Sequence, residues 1–215
     1  MTKDKSDGEV LLEGAYDLET PEDSVNFYRD FSSTYDTDFA EALGFTLPNR
    51  VAHTYLRARN PNDTPIADLG CGTGLVADAL RDTDVVIDGL DISLEMLEKA
   101  DKKNTYRNLL QIDLTKSVAG HENVYKAVLS SGTFTHGHLG PEAIDMAMRL
   151  GQSGCIFVLS INLDHYETLG FGAKFISLSE IGMIYDFHTE EVAIYNNPDH
   201  DHSADRALIV SFRKA

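Results

Sequence analysis

Apolar and polar positions along this chain change period several times, and each change marks an element. Ile66-Ala67-Asp68-Leu69 is a short apolar run that reads as a buried parallel strand, and Gly70-Cys71-Gly72-Thr73-Gly74 reads as the turn after it. Val76, Ala79 and Leu80 then recur at helical spacing. Val85-Val86-Ile87-Asp88-Gly89-Leu90 is a second strand, closing on Asp91. The alternation continues, with strands expected near 66–69, 85–90, 107–112, 125–130 and 154–161 and helices near 74–81, 93–102 and 141–150. Short helical stretches are expected at 164–169 and 173–181. Met183–Tyr195 and Ala207–Phe212 alternate apolar with polar residues, as an antiparallel hairpin does. Repeated strand–helix alternation predicts an α/β fold with a parallel sheet and right-handed crossovers.

Ahead of this core the pattern is helical. Thr20-Pro21-Glu22-Asp23 carries a hydroxyl cap, a first-position proline and first-turn acids, and opens a helix expected to reach Phe31. A second helix is expected after Asp36 and a third from Pro48 to Arg59, before the break at Asn60–Pro65. The division predicted is a polar, disordered tail over 1–15, a helical segment over 16–60 and the core over 61–215.

The glycine turn carries the first chemical signal. A strand, a glycine-rich turn and a helix, followed by an acid at the tip of the second strand, form a nucleoside-binding half-fold. Asp91 is placed to accept hydrogen bonds from ribose hydroxyls. Glycines at 70, 72 and 74 bring the third one residue early for a dinucleotide pattern. Asp68 also puts negative charge where a pyrophosphate would rest. That carboxylate suits a ligand with a cationic end, such as the ammonium and sulfonium of S-adenosylmethionine.

At this point the chain resembles the class I S-adenosylmethionine-dependent methyltransferases. The resemblance runs from Asp68–Gly74 through Gly89–Leu97, Gln111–Leu114 and Tyr125–Gly132, four motifs in order. It implies a Rossmann-like seven-stranded mixed sheet, the final hairpin adding the antiparallel strand, with an N-terminal helical lid. It also implies that Asp68, Gly70, Gly72 and Gly74, with Cys71 among them, hold the methionine half. Asp91 would bind ribose, Ile92 would pack on adenine with Met96 in the same motif, and Asp113 with the Leu114 backbone would meet the adenine edge. Ser131 follows the fourth strand toward the cofactor. Phe27–Asp38 with Leu43-Gly44-Phe45 is similar to the lid of the Williams–Beuren-region methyltransferase-like proteins, where Tyr28 and Tyr35 would close over the methionine end. The chain departs from that family in having Lys126 before Ala127, no Trp, and Phe31 in the lid.

Composition narrows the acceptor. With 35 acidic against 18 basic residues the net charge is −17, which repels nucleic acids over most of the surface. Lys99, Lys102, Lys103 and Arg107 form the one basic cluster, read as a solvated helix end. A small-molecule acceptor follows. No apolar run approaches the roughly twenty residues of a membrane span. The polar start and two cysteines, Cys71 and Cys155, outside any metal-ligand spacing, predict a reduced, cytoplasmic protein.

Methyl transfer needs a nucleophile held in line and water excluded, with a base only where the acceptor is protonated. The segment after the fourth strand reads Ser131–His138, and His136 and His138 are the candidate general bases. Asp164-His165-Tyr166-Glu167 lies at the same edge. Asn196–His202 with Asp205 reads as a polar loop in preference to a divalent-cation site, and no resident metal is expected. A second reading is a non-catalytic S-adenosylmethionine-binding or partner-regulating protein.

Overall fold

The computed structural model describes residues 7–16, 18, 23, 26–27, 29, 35–135 and 139–215. Chain order is α1 (Asp7–Tyr16), a short π-helix (Tyr35–Glu41), α2 (Leu47–Ala58), β1 (Ile66–Leu69), α3 (Leu75–Ala79), β2 (Ile87–Asp91), α4 (Leu94–Lys102) and β3 (Leu109–Gln111). There follow β4 (Tyr125–Phe134), α5 (Ala143–Leu150), β5 (Gly151–Asn162), α6 (Leu163–Leu169), α7 (Phe171–Glu180), β6 (Ile184–Ala193) and β7 (Arg206–Lys214). The seven strands form one sheet in the order β3-β2-β1-β4-β5-β7-β6. Pairings from β3 through β5 are parallel, and β7 runs antiparallel to both β5 and β6. This is the mixed Rossmann-like sheet that the sequence predicts.

Strand alternation splits the core into two layers. Ile66, Ala127, Leu129, Ile156 and Val158 face one cluster, which includes Val51 and Tyr55 of α2 and Val76 of α3. Their neighbours Ala67, Val128, Phe157 and Leu159 face the other, with Ile144 of α5 and Phe171 and Phe175 of α7. A period of two along each strand puts successive side chains on opposite faces, so a fully buried strand needs apolar residues on both. β1 is buried at all four positions, Asp68 included. Strand order reverses between β1 and β4, and in such sheets ligands sit beyond the carboxyl ends of the strands at that switch.

One expectation is corrected at the N-terminus. Residues 7–15, expected within a disordered tail, lie in helix α1, because Leu11 and Leu12 find an apolar partner in Phe39 of the π-helix. The helix expected up to Phe31 lies largely outside the described residues. The one expected after Asp36 is the π-helix, starting at Tyr35. β4 and β5 extend past their expected ends to Phe134 and Asn162, which carries them over the rim where the site is built.

Candidate functional site

Three strand ends converge at the switch point. β1 leads into the glycine turn, β2 ends on Asp91 and β4 continues through Ser131, Gly132 and Thr133. Gly70 and Gly72 have φ of +65° and +53°. A side chain at Gly70 would collide with Thr133 of β4, whereas one at Gly72 would enter open space. The turn is therefore packed on its β4 side and clear at its tip, where a ligand can approach the backbone. Asp91 fixes that tip by accepting from Gly72 N–H at 2.8 Å and from Ser93 N–H at 2.9 Å. Each oxygen keeps a lone pair for a further donor.

Asp68 is fully buried at the root of the turn. Its Oδ2 accepts from the Tyr106 hydroxyl at 2.6 Å, while its Oδ1 has no partner among the described residues. Burial pushes its carboxyl up to about 7; the Tyr106 hydrogen bond opposes the shift and the nearby Asp91 adds to it. Ser131 Oγ is another buried polar atom without a partner among the described residues. Burial also raises Asp91 and pushes the Cys71 thiol well up, helped there by the two carboxylates. Among the described residues, only Tyr106 donates a hydrogen bond to the Asp68 carboxylate.

The rest of the predicted set surrounds this root. Ile92 is partly exposed and its carbonyl accepts from Gln111 Nε2 at 3.0 Å, whereas Met96 is buried on α4. Asp113 follows β3, next to Ile112, whose N–H donates to the Asp91 carbonyl. Its Oδ1 accepts from the Thr115 N–H and hydroxyl and its Oδ2 meets Lys116 at 2.9 Å. Burial would raise this carboxyl, but Thr115 and Lys116 outweigh burial and hold it low. Leu114 packs against the core. Tyr28, His136 and His138 lie outside the described residues.

Tyr35 stacks on Phe39 at 4.9 Å, and its neighbour Asp36 ties the π-helix to the core. Thr73 of the glycine turn donates its hydroxyl to Asp36, and Lys103 bridges Asp36 at 2.6 Å and Asp78 at 2.8 Å. Sequence reasoning missed this clasp. It took Lys103 and Arg107 for a solvated helix end, whereas Lys103 is clasped and Arg107 pairs with buried Asp88 at 2.6 Å. Tyr106 was missed as well, since no motif marks it. His165 is buried with Nε2 3.1 Å from the Leu139 carbonyl, and His202 meets Asp205 at 3.1 Å. Among the described residues no group of three His, Cys, Asp or Glu is arranged to hold a metal ion.

Comparison with known proteins agrees with this geometry. Residues 66–152, from the start of β1 into β5, match the profile of a family described as Methyltransferase domain. The fold is that of S-adenosylmethionine-dependent methyltransferases, and S-adenosylmethionine is the cofactor of this class. Over 124 residues, 56% of this chain, the sequence is 32% identical to human Methyltransferase-like protein 27. That match covers 50% of the human protein, so the chain spans about half the length of this curated relative. A Methanococcus maripaludis protein described as an S-adenosyl-L-methionine-dependent methyltransferase superposes with a TM-score of 0.58 at 17% identity. The superposition covers 88% of this chain and 93% of that one. The methyltransferase bound to the Trm112 activator of Haloferax volcanii gives 0.62 at 17% identity, covering 87% and 97%. At such identities these two likenesses establish the fold alone.

The residues present fit the cofactor. The Asp68 carboxylate oxygen at the root of the glycine turn and the Ser131 hydroxyl of β4, both buried with no partner among the described residues, are complementary to a ligand with a cationic end, and the tip at Gly72 is open.

Proposed function

We propose that this protein transfers a methyl group from S-adenosylmethionine to a small-molecule acceptor. The observation that carries the reading is Asp68 Oδ1, buried without a partner among the described residues at the root of the glycine turn. Leaving a buried carboxylate half satisfied costs stability, and a cationic ligand removes that cost. Asp68, Ser131 and the turn Gly70-Cys71-Gly72 with Gly74 would hold the methionine half, and Asp91 the ribose hydroxyls. Ile92 and Met96 would flank adenine, with Asp113 and Leu114 at its edge. The cofactor supplies an already activated methyl group. The chain's part is to orient the acceptor and exclude water as the acceptor's lone pair forms the new bond and the carbon–sulfur pair returns to sulfur.

Residues 16–60 would act as a lid on the core at 61–215, with Tyr28 and Tyr35 over the methionine end, as in the Williams–Beuren-region methyltransferase-like proteins. The Asp36 clasp to Thr73 and Lys103 supports this, because it joins the segment directly to the cofactor turn. Closure of this kind excludes water and completes a site. His136 and His138 would take the proton of an acceptor protonated at working pH. The strong negative charge favours an acceptor other than nucleic acid, and two cysteines outside any metal-ligand spacing fit a cytoplasmic setting. No helix among the described residues is long and apolar enough to cross a membrane.

Thermal melting tests the reading. S-adenosylmethionine and S-adenosylhomocysteine should raise the melting temperature while nicotinamide dinucleotides leave it unchanged. A shift with the dinucleotides alone would sink it.

A further inference from the structure

Tyr106 stands in the loop between α4 and β3, and two other elements fix where its hydroxyl goes. Backbone hydrogen bonds hold the loop along β2. Arg107 N–H donates to the Ile87 carbonyl at 2.8 Å, and the Asn108 carbonyl accepts from Gly89 N–H at 2.9 Å. The ring lies between two glycines of separate elements. A Cβ at Gly74, in the glycine turn, would come 3.1 Å from Tyr106 Cε2. One at Gly89 of β2 would come 3.1 Å from Cε1, with Leu109 and Cys71 nearer still. Two missing side chains leave the width of one aromatic ring, and that ring carries its hydroxyl to 2.6 Å from Asp68 Oδ2.

The other groups around this pair work against a charged carboxylate. Burial raises Asp68 to about 7 against the pull of the Tyr106 hydrogen bond, and Asp91 at the end of β2 adds to the rise. The Cys71 thiol of the turn is pushed well up, by burial first and the two carboxylates next, and stays neutral. Asp78 of α3 and Asp36 of the π-helix are both engaged by Lys103, at 2.8 and 2.6 Å. Desolvation, and next the Asp68 charge, push the Tyr106 hydroxyl well above its ordinary value, so it remains a donor at neutral pH. A hydroxyl donating to a carboxylate favours the ionised form over the neutral one. Among the described residues, Tyr106 is the group that acts on Asp68 in that direction.

We infer that Tyr106 is a positioning residue for the cofactor, acting through Asp68: by occupying Oδ2 it keeps the carboxylate charged and leaves Oδ1 for the cofactor's ammonium. The inference rests on the assignment of Asp68 to that ammonium. Tyr106→Phe keeps the ring between Gly74 and Gly89 and removes only the hydroxyl. S-adenosylhomocysteine is titrated calorimetrically into the whole chain as wild type, Tyr106→Phe, Asp68→Asn and the double variant, at pH 6 and pH 8. One charge-assisted hydrogen bond moves the ionisation of its acceptor by about one pH unit. Tyr106→Phe should therefore bind about tenfold more weakly than wild type at pH 6 and within about twofold of it at pH 8. In the Asp68→Asn background the same change should give the same ratio at both pH values. A loss of equal size at the two pH values, or a pH-dependent loss that survives Asp68→Asn, overturns the inference and leaves the cofactor reading standing. Where Tyr106→Phe does not fold, proton NMR of the wild-type complex decides. A downfield Tyr106 hydroxyl resonance at pH 8 is expected, and its absence overturns the inference. Wild type that binds no S-adenosylhomocysteine at either pH refutes the methyltransferase reading, and this inference falls with it.

Discussion

Two buried carboxylates, one near the start of β2 and one near the end of β1, show how the same chemical group serves structure in one place and binding in another. Asp88 is 2% exposed and every oxygen is satisfied. Arg107 donates to both oxygens at 2.9 and 2.6 Å, the Asn108 backbone and side chain donate to Oδ1, and the Tyr125 hydroxyl reaches Oδ2 at 3.1 Å. Burial would raise this carboxyl, but Arg107, with help from Tyr125 and Asn108, outweighs burial and holds it below its ordinary value. Asp68 is 0% exposed, has among the described residues one donor and one bare oxygen, and is pushed up to about 7 by burial. A buried charge that the fold satisfies by itself stiffens the fold. One left half satisfied is waiting for a ligand.

Substitutions tell the two carboxylates apart. Arg107→Ala removes the countercharge from Asp88 and should cost about 3 kcal/mol of stability, the low end for a broken buried pair because Arg107 is itself nearly half exposed. The loss is read in a denaturant titration, and cofactor affinity of the folded fraction should be unchanged. Asp68→Asn should behave in the opposite way, keeping the fold and weakening S-adenosylhomocysteine binding about a hundredfold by calorimetry. Asp91→Ala loses the hydrogen bonds to ribose and should bind about tenfold more weakly. Lys103→Met opens one arm of the clasp on Asp36 and should have the smallest effect, about threefold in affinity, with faster hydrogen exchange over 35–41. An Asp91→Ala protein with unchanged affinity would show that the acid closing β2 serves only the turn.

The sequence pattern located the Rossmann-like core well, because each of its signals is local. A strand, a glycine turn and an acid-tipped second strand fall within 26 residues, from Ile66 to Asp91. What it could not locate depends on pairings that only the folded chain creates. Tyr106 reaches Asp68 across 38 positions and Thr73 reaches Asp36 across 37. Neither spacing matches a helical or strand period. The same holds for α1, whose Leu11 and Leu12 pack on Phe39 rather than on an amphipathic neighbour close in sequence. Lys103 and Arg107 looked like one solvated basic patch, and the fold divides them between the clasp and the Asp88 cluster.

The bare oxygen of Asp68 makes a demand that pH can test. Its folded value of about 7 lies above the roughly 3.9 of an unfolded aspartate, so the ligand-free folded protein holds an extra proton between those values. The stability of the ligand-free protein should therefore fall as pH rises from about 4 to 7, a loss that Asp68→Asn does not share. Binding runs the other way, because the cofactor's ammonium needs the ionised carboxylate. The decisive measurement is calorimetric titration of S-adenosylhomocysteine into wild type and Asp68→Asn at pH 6 and pH 8, chosen to bracket the folded value. Wild type should tighten about tenfold across that interval, while the variant stays weak and flat. Equal affinity of the two proteins at the higher pH, or no pH dependence in the wild type, would contradict the assignment of Asp68 to the cationic end of the cofactor.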